Sequence, residues 1–188
     1  CQQLLSGLSS LHAAHVAHLD LKPANIVFFF DGRLVITDFG CAQETKDGTI
    51  RQAIGDTRYF SPERLEHCAK KRETFNGFQA DSFALGLVLL EMTTREYPFD
   101  WNASLETRIH SWDIDYFRSK FEKYSELNGS DNSSAIWSVL RGLLQLEPEK
   151  RFSASKAKKL EGLKKWAFAT AGMREAAYHR LRDFNREA

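Results

Sequence analysis

From Phe83 to Met92 the sequence places apolar residues on every side of a helix, with Ala84 and Gly86 small enough for neighbours to approach closely. A helix without a polar face has to be surrounded. The run therefore predicts a domain built around one buried central helix. At 188 residues, with an apolar share of 43%, the chain has material for one such core. Asp81, at the start of this helix, is then expected away from solvent, and an acid is an ordinary residue type at a helix N-terminus.

Other helices follow from periodicity. Leu4, Leu5, Leu8 and Leu11 recur at helical spacing between Gln2 and His15. Ile136, Val139, Leu140, Leu143 and Leu144 fall at i, i+3, i+4, i+7 and i+8, behind a polar cap region at Ser130 to Ser134 and ahead of Pro148. Leu160, Leu163 and Trp166 predict another helix, and Met173 to Phe184 a last one. Between Thr93 and Asp131 the chain is loop-rich and aromatic, with Tyr97, Phe99, Trp101, Trp112, Tyr116 and Phe117, which suits either a partner surface or rings packed beneath short helices.

The chemistry is concentrated earlier. His18-Leu19-Asp20-Leu21-Lys22-Pro23-Ala24-Asn25 packs an acid, a cation and an amide into eight residues, and Pro23 stops a helix from running through them. Asp38-Phe39-Gly40 follows after Ile26 to Thr37, an apolar and β-branched run split by Asp31-Gly32, the pair that fits a two-residue hairpin turn. Two strands would bring Asn25 and Asp38 to one end of a hairpin. A carboxamide and a carboxylate side by side, next to an acidic base, form a place to hold magnesium and a nucleotide phosphate.

At these residues the sequence resembles the eukaryotic protein kinase family. The likeness extends to Ser61-Pro62-Glu63, where the family has Ala-Pro-Glu, to Asp81-Ser82-Phe83-Ala84-Leu85-Gly86, which matches its central buried helix, and to Arg151 near the end of its fold. The last three belong to the protein-kinase branch rather than to small-molecule kinases of related fold. The resemblance implies a mainly α fold: the C-terminal lobe of the kinase fold, with helices around a central buried helix and a small β-hairpin at the catalytic loop. It would occupy residues 1–168, and residues 169–188 would form a C-terminal helical tail.

The resemblance also implies roles, with ATP and Mg2+ as cofactors. Asp20 would be the base that orients the attacking hydroxyl and Lys22 the cation on the transferred phosphoryl group. Asn25 and Asp38 would ligate Mg2+. Val27 would lie under the adenine, flanked by Ile26 and Phe28, while all three also suit an ordinary strand core. His18, Phe39, Gly40, Glu63, Asp81 and Arg151 would be structural, with Glu63 and Arg151 forming a buried ion pair. The polar stretch from Gly40 toward Glu63 reads as an activation segment, mobile enough to gate a substrate site. The family's glycine-rich loop, strand lysine and helix glutamate do not occur in these 188 residues, and residue 1 is Cys rather than Met. The expectation is a piece of a longer protein whose N-terminal lobe lies elsewhere, inactive on its own.

Two departures narrow the likeness. Leu19 stands where most members have Arg, which removes the guanidinium that would read a phosphate on the activation segment. Gly55-Asp56-Thr57-Arg58-Tyr59 stands where most have Gly-Thr-x-x-Tyr, and an acid there would attract basic groups near the acceptor. Together with Leu146-Glu147-Pro148, these residues look most like the Wee/Myt group, with the Mos group second. That likeness implies a protein substrate, a cyclin-dependent kinase in the Wee/Myt case, modified at Ser/Thr or at Tyr. The rival reading is a kinase-like scaffold that binds partners without phosphoryl transfer. Retention of Asp20, Lys22, Asn25 and Asp38 favours the enzyme.

The rest of the composition mainly excludes. A net charge of +1 gives no polyelectrolyte signal for nucleic acid or a membrane surface. No stretch is long and apolar enough to span a bilayer. Cys1, Cys41 and Cys68 are odd in number and widely spaced, against a disulfide framework or zinc site, and fit a cytoplasmic or nuclear setting. Cys41, beside Asp38-Phe39-Gly40, suits a buried filler or a reactive thiol. His12, His15 and His18 fall three apart, which admits a metal reading as well as packing and backbone hydrogen bonding. Beyond Lys156 basic residues outnumber acidic ones, giving a solvated helix face or a docking face.

Overall fold

The computed structural model describes residues 1–94, 97, 115, 117–119, 121–122 and 133–160. The expected helices around Leu163 and Trp166 and from Met173 to Phe184, the 169–188 tail, and Phe99, Trp101, Trp112 and Tyr116 lie outside the described residues. Among the described residues helices dominate, and the strands form three two-stranded antiparallel pairs.

The central helix, α3 (Gly77–Thr94), holds Phe83, Leu85, Leu87, Val88 and Leu90 fully buried. Each such Leu contributes about 1.5–3 kcal/mol by leaving water. The helix begins six residues before the apolar run because Asn76 caps it: Asn76 Oδ1 accepts from Gln79 N at 3.0 Å. Helix α4 (Ser133–Leu143) packs against it, and α1 (Gln2–Ala13), α2 (Pro62–Cys68) and the short α5 (Ala154–Lys158), which lies on α1, contribute to the same apolar core. Gly86 sets the closeness of α3 to α4. A Cβ there would lie 2.9 Å from Leu144 Cδ2 and 3.0 Å from Leu143 Cβ, so any side chain would push the helices apart. The residues expected inside, Ile136, Val139, Leu140 and Leu143 on α4 and Leu144 just past its end, are all buried. Phe117 joins the same core. The helix α5, capped by the Ser153 side chain accepting from Lys156 N, is too short to show a period in sequence.

Helix α1 ends at Ala13 because His15 adopts a left-handed φ of 60° and turns the chain into β1 (Val16–Ala17). Strands β2 (Ile26–Phe28) and β3 (Leu34–Ile36) pair as expected, with Ile26 opposite Ile36. Their turn is longer than the two-residue form read from Asp31-Gly32. Phe29 N donates to Arg33 O at 2.8 Å and Gly32 N to Phe29 O at 2.9 Å, with Gly32 at φ 88°. This is a three-residue loop closed by a glycine bulge, which absorbs the extra residue.

The polar stretch from Gly40 toward Glu63 is fastened rather than free. Strand β4 (Gln43–Glu44) pairs with β1, and β5 (Thr49–Ile50) pairs with β6 (Phe75–Asn76) just before α3. Ile50 and Phe75 close over Leu19, Ala17 and Ala80 in a second apolar cluster, with Cys41 half-buried at its edge. At its far end Glu63, on α2, meets Arg151 at 2.6 and 3.0 Å in a two-pronged ion pair. The remaining Arg151 donors go to the carbonyls of Gln79, Gln145 and Leu146, so all five N–H groups are used.

Removing the guanidinium strands the Glu63 carboxylate and three carbonyls in the interior. Arg151→Ala should therefore lower unfolding free energy by about 3–5 kcal/mol. Urea denaturation with an unchanged midpoint would contradict the pair's structural role.

Candidate active site

The catalytic-type loop hangs from α3. Asp81, buried in the first turns of that helix, accepts from His18 N at 2.7 Å and Leu19 N at 2.8 Å, and His12 Nε2 lies 3.1 Å from the same carboxylate. Both N–H groups are buried and have no other acceptor in the loop. Leu19 takes a left-handed φ of 64° to present its N–H, a costly conformation for a branched residue. His18 is fully buried and braces the loop internally. Its Nδ1 accepts from Asp20 N at 3.3 Å, which places the ring proton on Nε2, 3.0 Å from Thr37 O. Thr37 N and Oγ1 both donate to Asn25 O, at 2.9 and 3.1 Å. The three histidines thus go to separate partners, His15 facing Lys46 O.

Pro23 opens a 3₁₀ turn over Pro23–Asn25 that aims Asn25 back at Asp20. Asn25 Nδ2 donates to Asp20 O at 2.9 Å and to Asp20 Oδ2 at 3.1 Å. Lys22 Nζ lies 2.9 Å from the same Oδ2, and Asp56 N donates to Oδ1 at 2.8 Å. Three donors therefore orient the Asp20 carboxylate, which is 8% exposed. Its hydrogen bond to Lys22 holds the ammonium above the usual lysine range, so Lys22 stays a cation.

The hairpin delivers Asn25 and Asp38 to neighbouring strand ends, as read from the sequence. Asp38 is solvent-exposed, at a left-handed φ of 62°, with Gly40 N donating to its Oδ1 at 3.2 Å. Phe39 is half-exposed, its ring 5.3 Å from that of His18, and Val27 is 39% exposed on the outer face of β2. Among the described residues no cluster of three His, Cys, Asp or Glu could hold a metal alone. The donors present nevertheless suit Mg2+, which is bound by one or two protein oxygens plus phosphates and water. With its Nδ2 turned to Asp20, the Asn25 oxygen would be the atom offered to Mg2+, and the Asp38 carboxylate, exposed to solvent, would be the second protein ligand.

Several residues that matter here carried little or no signal in the sequence. Asp56, expected to attract basic groups, is already chelated by Arg58, whose Nε lies 2.8 and 2.9 Å from its two oxygens and whose Nη2 also reaches it. Burial alone would push the Asp56 carboxyl up, but the Arg58 hydrogen bonds outweigh it and hold it below the usual range. Its charge is thus paired within the protein. Glu91, the one charge in the apolar run of α3, accepts from Tyr59 Oη at 2.7 Å, and Tyr97 donates to Arg58 O. Arg64, on α2, reaches the carbonyls of Leu19 and Ile54.

Residues 1–161 match the protein kinase domain model, and the chain belongs to that family. It is 32% identical over 156 residues to the serine/threonine-protein kinase STK11 of Rattus norvegicus, covering 81% of this chain and 33% of that protein. It is 28% identical to the serine/threonine-protein kinase chk1 of Schizosaccharomyces pombe over 80% of this chain and 29% of the relative. A third relative, the serine/threonine-protein kinase AtPK1/AtPK6 of Arabidopsis thaliana, is 31% identical over 81% of this chain and 29% of its own length. The chain spans about a third of the length of the curated relatives it matches. Among the described residues no helix is long and apolar enough to cross a membrane.

Burial raises the Glu91 carboxyl, against the opposing hydrogen bond from Tyr59. A carboxyl whose folded pKa exceeds its unfolded value binds more protons folded than unfolded. Stability then falls as pH rises from about 4.3 through the raised value. Glu91→Gln keeps an acceptor for Tyr59 without the charge. Its denaturant midpoint should exceed the parent's by more at pH 7 than at pH 5. A constant difference between the two would contradict the assignment.

Proposed function

We propose that the protein carrying this chain is a protein kinase that transfers the γ-phosphoryl group of ATP to a Ser or Thr hydroxyl of a protein substrate. The observation that carries the reading is the convergence of Lys22, Asn25 and Asp56 N on one buried-edge carboxylate, Asp20. Asp20 accepts the hydroxyl proton as the substrate oxygen bonds to phosphorus and the bond to the leaving diphosphate breaks. Lys22 stays charged to meet the phosphoryl oxygens. Asn25 and Asp38 would hold Mg2+, which when bound neutralises phosphate charge. Relatives named as serine/threonine kinases support the substrate class.

The glycine-rich loop and strand lysine are not in these 188 residues, so the reading places an N-terminal lobe in the longer protein, with residues 1–168 as the C-terminal lobe and 169–188 as its helical tail. Exposed Val27, Val35 and Phe39, and an apolar groove lined by Gly7, Leu11 and Leu34, support a covering lobe. Narrower still is a Wee/Myt-like kinase acting on a cyclin-dependent kinase, Tyr included, in cytoplasm or nucleus. It is supported by His-Leu-Asp, Gly-Asp-x-Arg-Tyr, Ala80-Asp81-Ser82-Phe83-Ala84-Leu85-Gly86-Leu87 and Leu146-Glu147-Pro148, while the relatives above bear other names.

In the full-length protein Asp20→Asn should lower kcat by about 10²–10⁴-fold with ATP affinity nearly intact, whereas Asp38→Asn should weaken Mg2+-dependent ATP binding itself. Undiminished peptide phosphorylation by Asp20→Asn would sink the enzyme reading. The 188-residue chain alone should show no phosphoryl transfer and no Mg2+-dependent thermal shift with micromolar ATP, because positioning and charge stabilisation supply nearly all of this catalysis. A clear shift would overturn that expectation.

A further inference from the structure

Among the described residues Arg64 is a buried cation with no carboxylate bonded to it. It is 2% exposed, and one nitrogen, Nη2, donates both to Leu19 O at 2.7 Å and to Ile54 O. Its guanidinium carbon lies 3.7 Å from the centre of the Phe60 ring, while its Nε is buried with no hydrogen-bond partner. Burial pulls the group down to about 10, still protonated at neutral pH. A cation held by carbonyls with an orphaned N–H is a poor way to gain stability. An apolar side chain at this place on α2 would avoid the cost.

What the guanidinium does accomplish is a join. Leu19 O belongs to the peptide leading into Asp20, and Ile54 O to the peptide leading into Gly55. Gly55 sits at φ 105°, so close that a Cβ would lie 2.5 Å from Leu19 O, 3.0 Å from Asp20 Oδ1 and 3.3 Å from Arg64 Nη2. The next N–H, that of Asp56, is the one that grips Asp20 Oδ1. Leu19, pointing into the apolar cluster with Ile50 and Phe75, contributes no charge to this join.

We propose that Arg64 is a positioning residue that clips the catalytic loop to the activation segment through the Leu19 and Ile54 carbonyls, and so sets the Asp20 carboxylate without an activation-segment phosphate. The proposal rests on the kinase reading for its consequence in catalysis. The clip itself is a matter of structure and is measured separately.

The test uses the full-length protein with Arg64→Lys, Arg64→Met and Gly55→Ala, reading hydrogen exchange by residue alongside kcat and KM for ATP. Arg64→Met should speed exchange at least tenfold at Leu19–Lys22 and Gly55–Thr57 while α3 keeps its protection. It should lower kcat at least tenfold with KM for ATP within twofold. Arg64→Lys, which keeps the charge, should recover part of both. Gly55→Ala strains the contact from the other side and should give the same two-segment exchange pattern, which keeps the test decisive if the Arg64 variants do not fold. Exchange within twofold of the parent at both segments, or faster exchange spread through α3, would overturn the clip. A parent without phosphoryl transfer would remove the kinase reading and leave the exchange result to decide the clip alone.

Discussion

The site depends on two hydrogen bonds, from His18 N and Leu19 N to the carboxylate of Asp81. Each is a bond to a charged acceptor, of the kind that contributes about 1.5–3 kcal/mol. Together they exceed the roughly 1–2 kcal/mol of holding Leu19 in the left-handed region. The anchor matters because α3 is buried on every side from Ala80 to Glu91. A loop bonded to its first turns inherits a fixed position. Asp20, one residue beyond Leu19, is then oriented by His18 below, Asn25 beside and Asp56 N across.

The same logic explains the order of the stretch from Gly40 to Glu63, expected to be the activation segment. Segments of this kind are ordered by phosphate when a guanidinium stands ready for it. Here the corresponding place is Leu19, and it is filled with contacts to Ala17, Ile50, Phe75 and Ala80. Apolar contact carries no switch, because its strength does not change with a modification several residues away. The β5–β6 pairing and the Glu63–Arg151 pair fasten the two sides of the segment, so the region around Gly55 is held between anchors that are part of the fold.

Much of this was legible in the sequence, for physical reasons that also mark the boundary of legibility. The buried helix, α1 and α4 announced themselves by period, and the hairpin by β-branching and a turn pair. Asp20, Asn25 and Asp38 stood in motifs whose residue types are dictated by chemistry. Asp31-Gly32 was a sound turn signal, yet the loop length depended on where Phe29 paired. Glu91 was hidden by its apolar neighbours, because its partner, Tyr59, lies thirty-two residues away. Nothing in the local sequence says where the Arg58 and Arg64 side chains go. Only the folded arrangement sends one to Asp56 and the other beneath the loop.

The bonds on Asp20 are unequal, and the inequality suits the proposed reaction. Asn25 is 5% exposed and bonds both the backbone and the side chain of Asp20, so its grip is enclosed and twofold. Lys22 is 23% exposed and holds only Oδ2. A solvent-side ion pair of that kind is worth about 0–1 kcal/mol, because water competes for the ammonium. Moving Lys22 from Asp20 toward an incoming phosphoryl oxygen therefore costs little, whereas moving Asn25 would orphan buried polar groups. In the proposed transfer the cation would follow the developing charge while the amide keeps the Asp20 carboxylate aimed.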